Sequence, residues 1–186
     1  SRLTVELPGI SYDNIDPFID YVAGAGMVTG GTGSKVRPVV SCKGTTCVFG
    51  LYDTQALAKE IHQRFYVEYH DVVLPHKFKI AVGGCPNSCM KPSLNDFGIE
   101  AHRLPVYDLE KCRGCKKCFI AQKCPMRAIE VVEGKMRVEE SLCTKCGVCI
   151  EKCPFGVTPP VTKPAFAIFV GGTWGKHTRM GTRLNR

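Results

Sequence analysis

KCRGCKKCFIAQKCP (residues 111–125) and LCTKCGVCIEKCP (residues 142–154) are two copies of one pattern, and their reading decides the architecture of the chain. The second copy, Cys143, Cys146, Cys149 and Cys153 followed by Pro154, fits C-x2-C-x2-C-x3-C-P without deviation. In that spacing three thiolates wrap one iron–sulfur cubane and the fourth reaches a neighbouring one. Two copies therefore predict two 4Fe-4S clusters with crossed ligands: Cys112, Cys115, Cys118 and Cys153 on one, Cys143, Cys146, Cys149 and Cys124 on the other. The first copy departs in one place, where FIAQK puts five residues between Cys118 and Cys124. A lengthened helix is expected there, with altered dipoles near that cluster. A pair of zinc knuckles is the rival, and the doubled pattern with its Cys-Pro endings argues against it.

Outside these copies the chain reads as an ordinary globular sequence of 186 residues, 44% hydrophobic, with 12 cysteines in all. Such cysteine density means either a secreted disulfide scaffold or thiolate-bound metal. Close clustering favours several thiolates converging on a soft metal centre. The net charge of +8 invites a nucleic-acid reading, but it counts every thiol as neutral. Twelve coordinating thiolates around three dicationic cluster cores would bring it to about +2. No nucleic-acid partner is therefore expected. No stretch approaches 18 apolar residues and SRLTVELPGI lacks a signal-peptide layout, so a soluble, cytoplasmic protein without membrane insertion is expected. The start at Ser1 and the ending RLNR suggest a piece of something longer.

Short apolar runs alternate with amphipathic stretches up to residue 104. RLTVEL reads as a strand. Asp13 or Asn14 caps a helix through about Val22, ended by Gly24 to Gly26. VRPVVSC is a second strand, after the glycine-rich turn TGGTGS. That turn lacks a phosphate loop's GK[ST] ending. Thr54 starts a helix with Leu57, Ile61 and Phe65 along one face, and KFKIAVGG and FGIEAHRL are further strands. Residues 105–160 change to Cys, Lys, Glu and Pro, and strand character returns in AFAIFVGG. The organisation expected is a discontinuous domain, 1–104 with 161–186, interrupted by a small module at 105–160. Too short for a self-sufficient core, that module should depend on its clusters for stability.

Four cysteines remain, in SCKGTTC (Cys42, Cys47) and GGCPNSC (Cys85, Cys89), each pair at the end of a predicted strand. Two such loops can supply four thiolates to a third cubane, with glycines allowing close backbone approach; zinc is a competitor on spacing alone. Here the sequence resembles the sirohaem-dependent sulfite and nitrite reductase family, of the anaerobic, ferredoxin-containing type. GGCPNSC looks like that family's second cluster loop, LPHKFKIAVGG like the strand entering it, and GSKVRPVVSC like the strand entering the first. The resemblance implies an α+β fold: a sirohaem/4Fe-4S half-domain with an inserted two-cluster ferredoxin module. It also implies that Cys89 bridges the cluster to sirohaem iron, and that Arg37, Lys77 and Lys79 face the substrate anion. Lys77 and Lys79, two apart on a strand, should point to one side. The first loop has four residues between its cysteines where the family commonly has five, and His76 stands where relatives often carry arginine. A further arginine that the family uses upstream has no clear counterpart here. GGTWGKHTR suggests Lys176 or Arg179 as contacts for sirohaem carboxylates.

The expected cofactors are three 4Fe-4S clusters and sirohaem. The function expected is six-electron reduction of sulfite to sulfide, with electrons entering through the ferredoxin clusters from a donor protein or subunit. Two rivals stand beside it: a non-catalytic iron–sulfur electron-transfer subunit, and nitrite reduction on the same scaffold. The sequence leaves oligomerisation open.

Overall fold

The structure is a computed structural model that describes residues 5–161 and 164–184. Its centre is a five-stranded sheet in the order β1 (Val40–Ser41), β2 (Ile80–Gly83), β3 (Phe97–His102), β6 (Ala165–Val170), β7 (Thr182–Arg183). The first three strands run parallel and the last two pairings are antiparallel. All four residues of β2 are buried, as a strand must be when covered on both faces.

The ladder between β3 and β6 runs from Phe97↔Val170 to His102↔Ala165. The chain thus leaves the sheet at His102 and re-enters beside it. Among the described residues in between are the one-turn helix α3 (Phe119–Lys123) and the hairpin β4 (Ile129–Val132) with β5 (Lys135–Val138). Ile120, Ile129, Met136, Cys149 and Val157 make a small separate core there, against which Cys112, Cys118, Cys124 and Cys153 pack. The FIAQK spacer is itself α3, whereas residues 150–152 of the second copy form only a turn.

Several elements differ in detail from their sequence reading. Residues 2–4 of RLTVEL lie outside the described residues, and Val5 to Leu7 are irregular and exposed. Helix α1 spans Ile15–Gly24, with Gly26 at φ +73° and the Met27 N–H reaching back to Val22 O at 3.0 Å. This is the left-handed glycine stop expected of GAG. VRPVVSC shortens to Val40–Ser41 with an isolated bridge from Val36 to Phe78, because Pro38 has no N–H to give a ladder. Likewise β2 begins only at Ile80, so Lys77 and Lys79 lie on the extended approach to it.

Helix α2 (Thr54–Ile61) is capped by Asp53, whose carboxylate accepts from Ala56 N at 2.9 Å and Thr45 Oγ1 at 2.7 Å. Beyond it the chain winds as a π turn, His62–Val67. The wider turn takes an extra residue, so Tyr66, 7% exposed, is buried in place of the expected Phe65, which is 49% exposed.

Candidate cluster and anion site

Cys42 and Cys47 flank a short 3-10 turn (Gly44–Thr46) directly after β1, and Cys85 and Cys89 follow β2. Since β1 and β2 are parallel neighbours, both loops emerge at the same sheet edge. Ligands of α/β sheets collect at the carboxyl ends of their strands. Cys42 Sγ accepts the Gly84 N–H at 3.2 Å. Burial pushes the Cys85 thiol up, the Asn87 N–H pulls it partly back, and Cys89, Cys42 and Cys47 push it up again. Cys85 is thus within electrostatic reach of each of the other three sulfurs.

Glycine makes that approach possible. A Cβ on Gly84 would stand 3.0 Å from Thr54 Cγ2, 3.1 Å from Gly44 Cα and 3.3 Å from Cys42 Sγ. Thr54, fully buried, holds the same loop through its hydroxyl, which donates to Cys42 O at 2.9 Å. Among the described residues no three His, Cys, Asp or Glu side chains converge as one metal ion requires. A cubane, with an iron at each of four corners, asks instead for sulfurs spread around a box.

Cys89 also opens onto a cavity of about 500 Å³ whose wall includes Arg37, Lys77 and Lys79. The three cations named from the sequence therefore share one space with this cysteine. Arg37 donates from Nη1 to Gly31 O at 2.7 Å. Among the described residues its Nε is the one buried side-chain nitrogen or oxygen without a hydrogen-bond partner. A guanidinium on a cavity wall is suited to an anionic guest. Lys79 is held near Asp96, whose carboxylate accepts the Lys79 backbone N–H at 2.8 Å and stands 4.0 Å from its Nζ. Lys77 is exposed.

Lys91 and Trp174, which sequence reasoning missed, line the same cavity, with Lys91 Nζ 4.4 Å from the Trp174 ring centroid. Lys91 is left-handed, φ 47°, a conformation the sequence does not announce. Lys176 and Arg179 are not part of this wall; Arg179 instead donates twice to Gly171 O, at 3.2 and 3.0 Å. His76 is exposed and is likewise not part of it.

In the inserted segment Cys112, Cys115, Cys118 and Cys153 line one small cavity of about 70 Å³. That is the crossed set of four read from spacing. Met136 N–H donates to Cys112 Sγ at 3.2 Å. Cys143, Cys146 and Cys149 form a second group. The Cys149 thiol is pushed up by burial, eased down by the Tyr107 hydroxyl and a backbone N–H, and pushed up by Cys146 and Cys143. Cys124 Sγ accepts Ala128 N–H at 3.4 Å within the small core.

The model of the nitrite and sulphite reductase 4Fe-4S domain matches residues 32–186. The chain is 34% identical over 184 residues to the coenzyme F420-dependent sulfite reductase of Methanocaldococcus jannaschii, a match covering 98% of this chain and 28% of that protein. It is 25% identical over 150 residues to the alpha polypeptide of the dissimilatory-type sulfite reductase of Nitratidesulfovibrio vulgaris, covering 67% of this chain and 34% of that polypeptide. Among solved structures, dissimilatory sulfite reductase I is alike in fold, with a TM-score of 0.62 at 22% identity over 92% of this chain and 46% of that one. The chain spans less than half the length of these relatives.

Proposed function

Because this chain belongs to the nitrite and sulphite reductase 4Fe-4S domain family, we propose that it reduces sulfite to sulfide at a sirohaem coupled to a 4Fe-4S cluster. The observation that carries this reading is the single cavity shared by Cys89, Arg37, Lys77 and Lys79. Cys42, Cys47, Cys85 and Cys89 would hold the cluster, with Cys89 on the side facing the macrocycle. The residues fit such a group. Sirohaem is a polycarboxylate, and the cavity wall supplies Arg37, with its unpartnered buried Nε, and Lys91. When bound, sirohaem would supply the iron and the electron reservoir on which the sulfur–oxygen bonds are broken.

The chain's own residues would do the rest. Sulfite takes up six electrons and six protons to leave sulfide and three waters. Arg37, with a planar guanidinium that matches an oxyanion, would anchor the dianion. The Lys79 ammonium, held near Asp96, is fixed in direction. Lys77, open to solvent, is the group able to pass protons inward and regain them from water. Clustered cations of this kind act most strongly on oxyanion charge that develops during reduction.

Residues 105–160 would form a ferredoxin module carrying two further clusters. One would sit on Cys112, Cys115, Cys118 and Cys153 and the other on Cys143, Cys146, Cys149 and Cys124, both feeding the sheet-edge cluster. The antiparallel pairing of β3 with β6 across that insertion supports a discontinuous domain, 1–104 with 161–186. A donor protein or subunit would deliver the electrons. Nitrite reduction is the second reading, favoured by a family that covers both anions.

Iron analysis and a visible spectrum on oxygen-free protein test the proposal. About 13 irons per chain with a sirohaem band are expected, whereas 12 or 8 without the band would leave only an electron carrier. Turnover rates with sulfite and nitrite, side by side, decide between the anions.

A further inference from the structure

The two cysteine repeats differ sharply in charge. Residues 111–127 hold Lys111, Arg113, Lys116, Lys117, Lys123 and Arg127 with no acidic residue, whereas residues 139–153 hold Glu139, Glu140 and Glu151 against Lys145 and Lys152. A cubane with four thiolates carries net negative charge, so the first repeat more than offsets its cluster and the second does not.

The structure puts these cations where they can meet a partner. Cys115 is exposed, as are Lys116 and Lys117 on its C-terminal side. Arg113 and Lys117 line the same cavity as the first cysteine set, together with Phe119 and Phe155, which are 49% and 40% exposed. Arg113 lies over the Phe155 ring at 5.1 Å, and Lys123 over Phe119 at 5.5 Å. Cations stacked on half-exposed rings form a surface with both steering charge and apolar anchors, the two ingredients of a transient docking face. Asp108 is engaged by Lys111 at 2.8 Å; Glu110 adjoins the repeat in sequence, and Glu133 lies in the β4–β5 turn that packs on Gly114, where Lys135 donates to Cys112 O at 3.0 Å. In the second repeat Lys145 is paired with Glu140.

We propose that the face around Cys115, bounded by Arg113, Lys116, Lys117, Phe119 and Phe155, is the docking surface for an acidic one-electron carrier protein. The cluster of the first repeat would then be the point of electron entry. The inference rests on the cluster reading above. In the step one electron would pass from the reduced carrier to the cluster that Cys112, Cys115, Cys118 and Cys153 would hold; no bond would form or break, and the carrier would depart oxidised by one electron. Electrostatic steering explains the contrast between repeats, since only the face that receives the carrier needs excess positive charge.

The test compares second-order reduction rates of the full chain with its clusters in place. The probes are a reduced acidic ferredoxin and reduced methyl viologen, a small dye that needs no docking surface. With ferredoxin at low salt, a Lys116→Glu/Lys117→Glu double variant should react about tenfold or more slowly than the parent protein, whose own rate should fall as salt rises. The viologen rate, and the ferredoxin rate of a control Lys145→Glu/Lys152→Glu variant, should stay unchanged. Equal ferredoxin rates in the parent and the Lys116/Lys117 variant would overturn the inference, and so would an equal loss in the control. Absence of clusters from the parent protein would sink the underlying cluster reading before any carrier was added.

Discussion

His102, at the end of β3, stands with its Nδ1 3.2 Å from the carbonyl oxygen of Thr144, the residue after Cys143. A carbonyl can only accept, so Nδ1 carries the hydrogen. The other ring nitrogen lies 3.0 Å from Glu100 Oε1, and both side chains are under 10% exposed. The imidazole thus bridges a backbone carbonyl and a buried carboxyl group. It ties a central strand to the loop of the second cysteine group. Gly147 shows how close that seam is: a Cβ there would lie 2.6 Å from the Arg103 side chain.

Breaking this pair should therefore cost stability. His102→Phe leaves the Glu100 carboxyl buried without its partner, a loss expected at about 3–5 kcal/mol in denaturant unfolding. His102→Asn, able to donate to Thr144, should cost clearly less. Equal losses would mean that the Thr144 hydrogen bond contributes nothing.

Removal of iron should act unevenly. Among the described residues the core cluster of the inserted segment holds five buried side chains, too few to hold a fold without the clusters proposed for it. Anaerobic chelation should make the β4–β5 amides exchange rapidly while the β3–β6 ladder stays protected. Hydrogen exchange read by mass spectrometry checks this.

Arg37→Ala should lower kcat/KM for sulfite by on the order of 100-fold, the usual consequence of losing one preorganised charge donor. Arg37→Lys should recover little, because an ammonium cannot both hold Gly31 O and present a second donor in the guanidinium plane. Steady-state kinetics with an artificial reductant separates the two variants.

Stability should also fall in mild acid. Burial holds the His62 imidazole below its ordinary value of 6.5, and its Nδ1 faces the Val39 N–H at 3.4 Å. The unfolded chain therefore takes up a proton before the folded one does. The stabilisation is fully present above about pH 6.5 and is lost as pH falls through the lower, folded value. In thermal melts, His62→Gln should flatten this part of the pH profile.

Local order along the chain determined a good deal by itself. The repeated Cys-x2-Cys spacing states which thiols can converge, since residues a few positions apart meet whatever the rest of the molecule does. The strand cores of β2, β3 and β6, and the return of the chain to the sheet after residue 160, were legible from apolar runs for the same reason. Where two local signals competed, the reading slipped: Pro38 cut the strand before Cys42, and a π turn moved the buried face of the second helix from Phe65 to Tyr66.

Tertiary structure alone decided which distant residues share a space. Parallel pairing of β1 with β2 brings two cysteine loops to one edge and sets Arg37 in a common cavity with Cys89. Lys91, Trp174 and the Glu100–His102–Thr144 chain carried no sequence signal, because a lysine, a tryptophan or a histidine acquires its partner only through register and loop path. Spacing specifies what meets within a loop; the sheet specifies which loops meet.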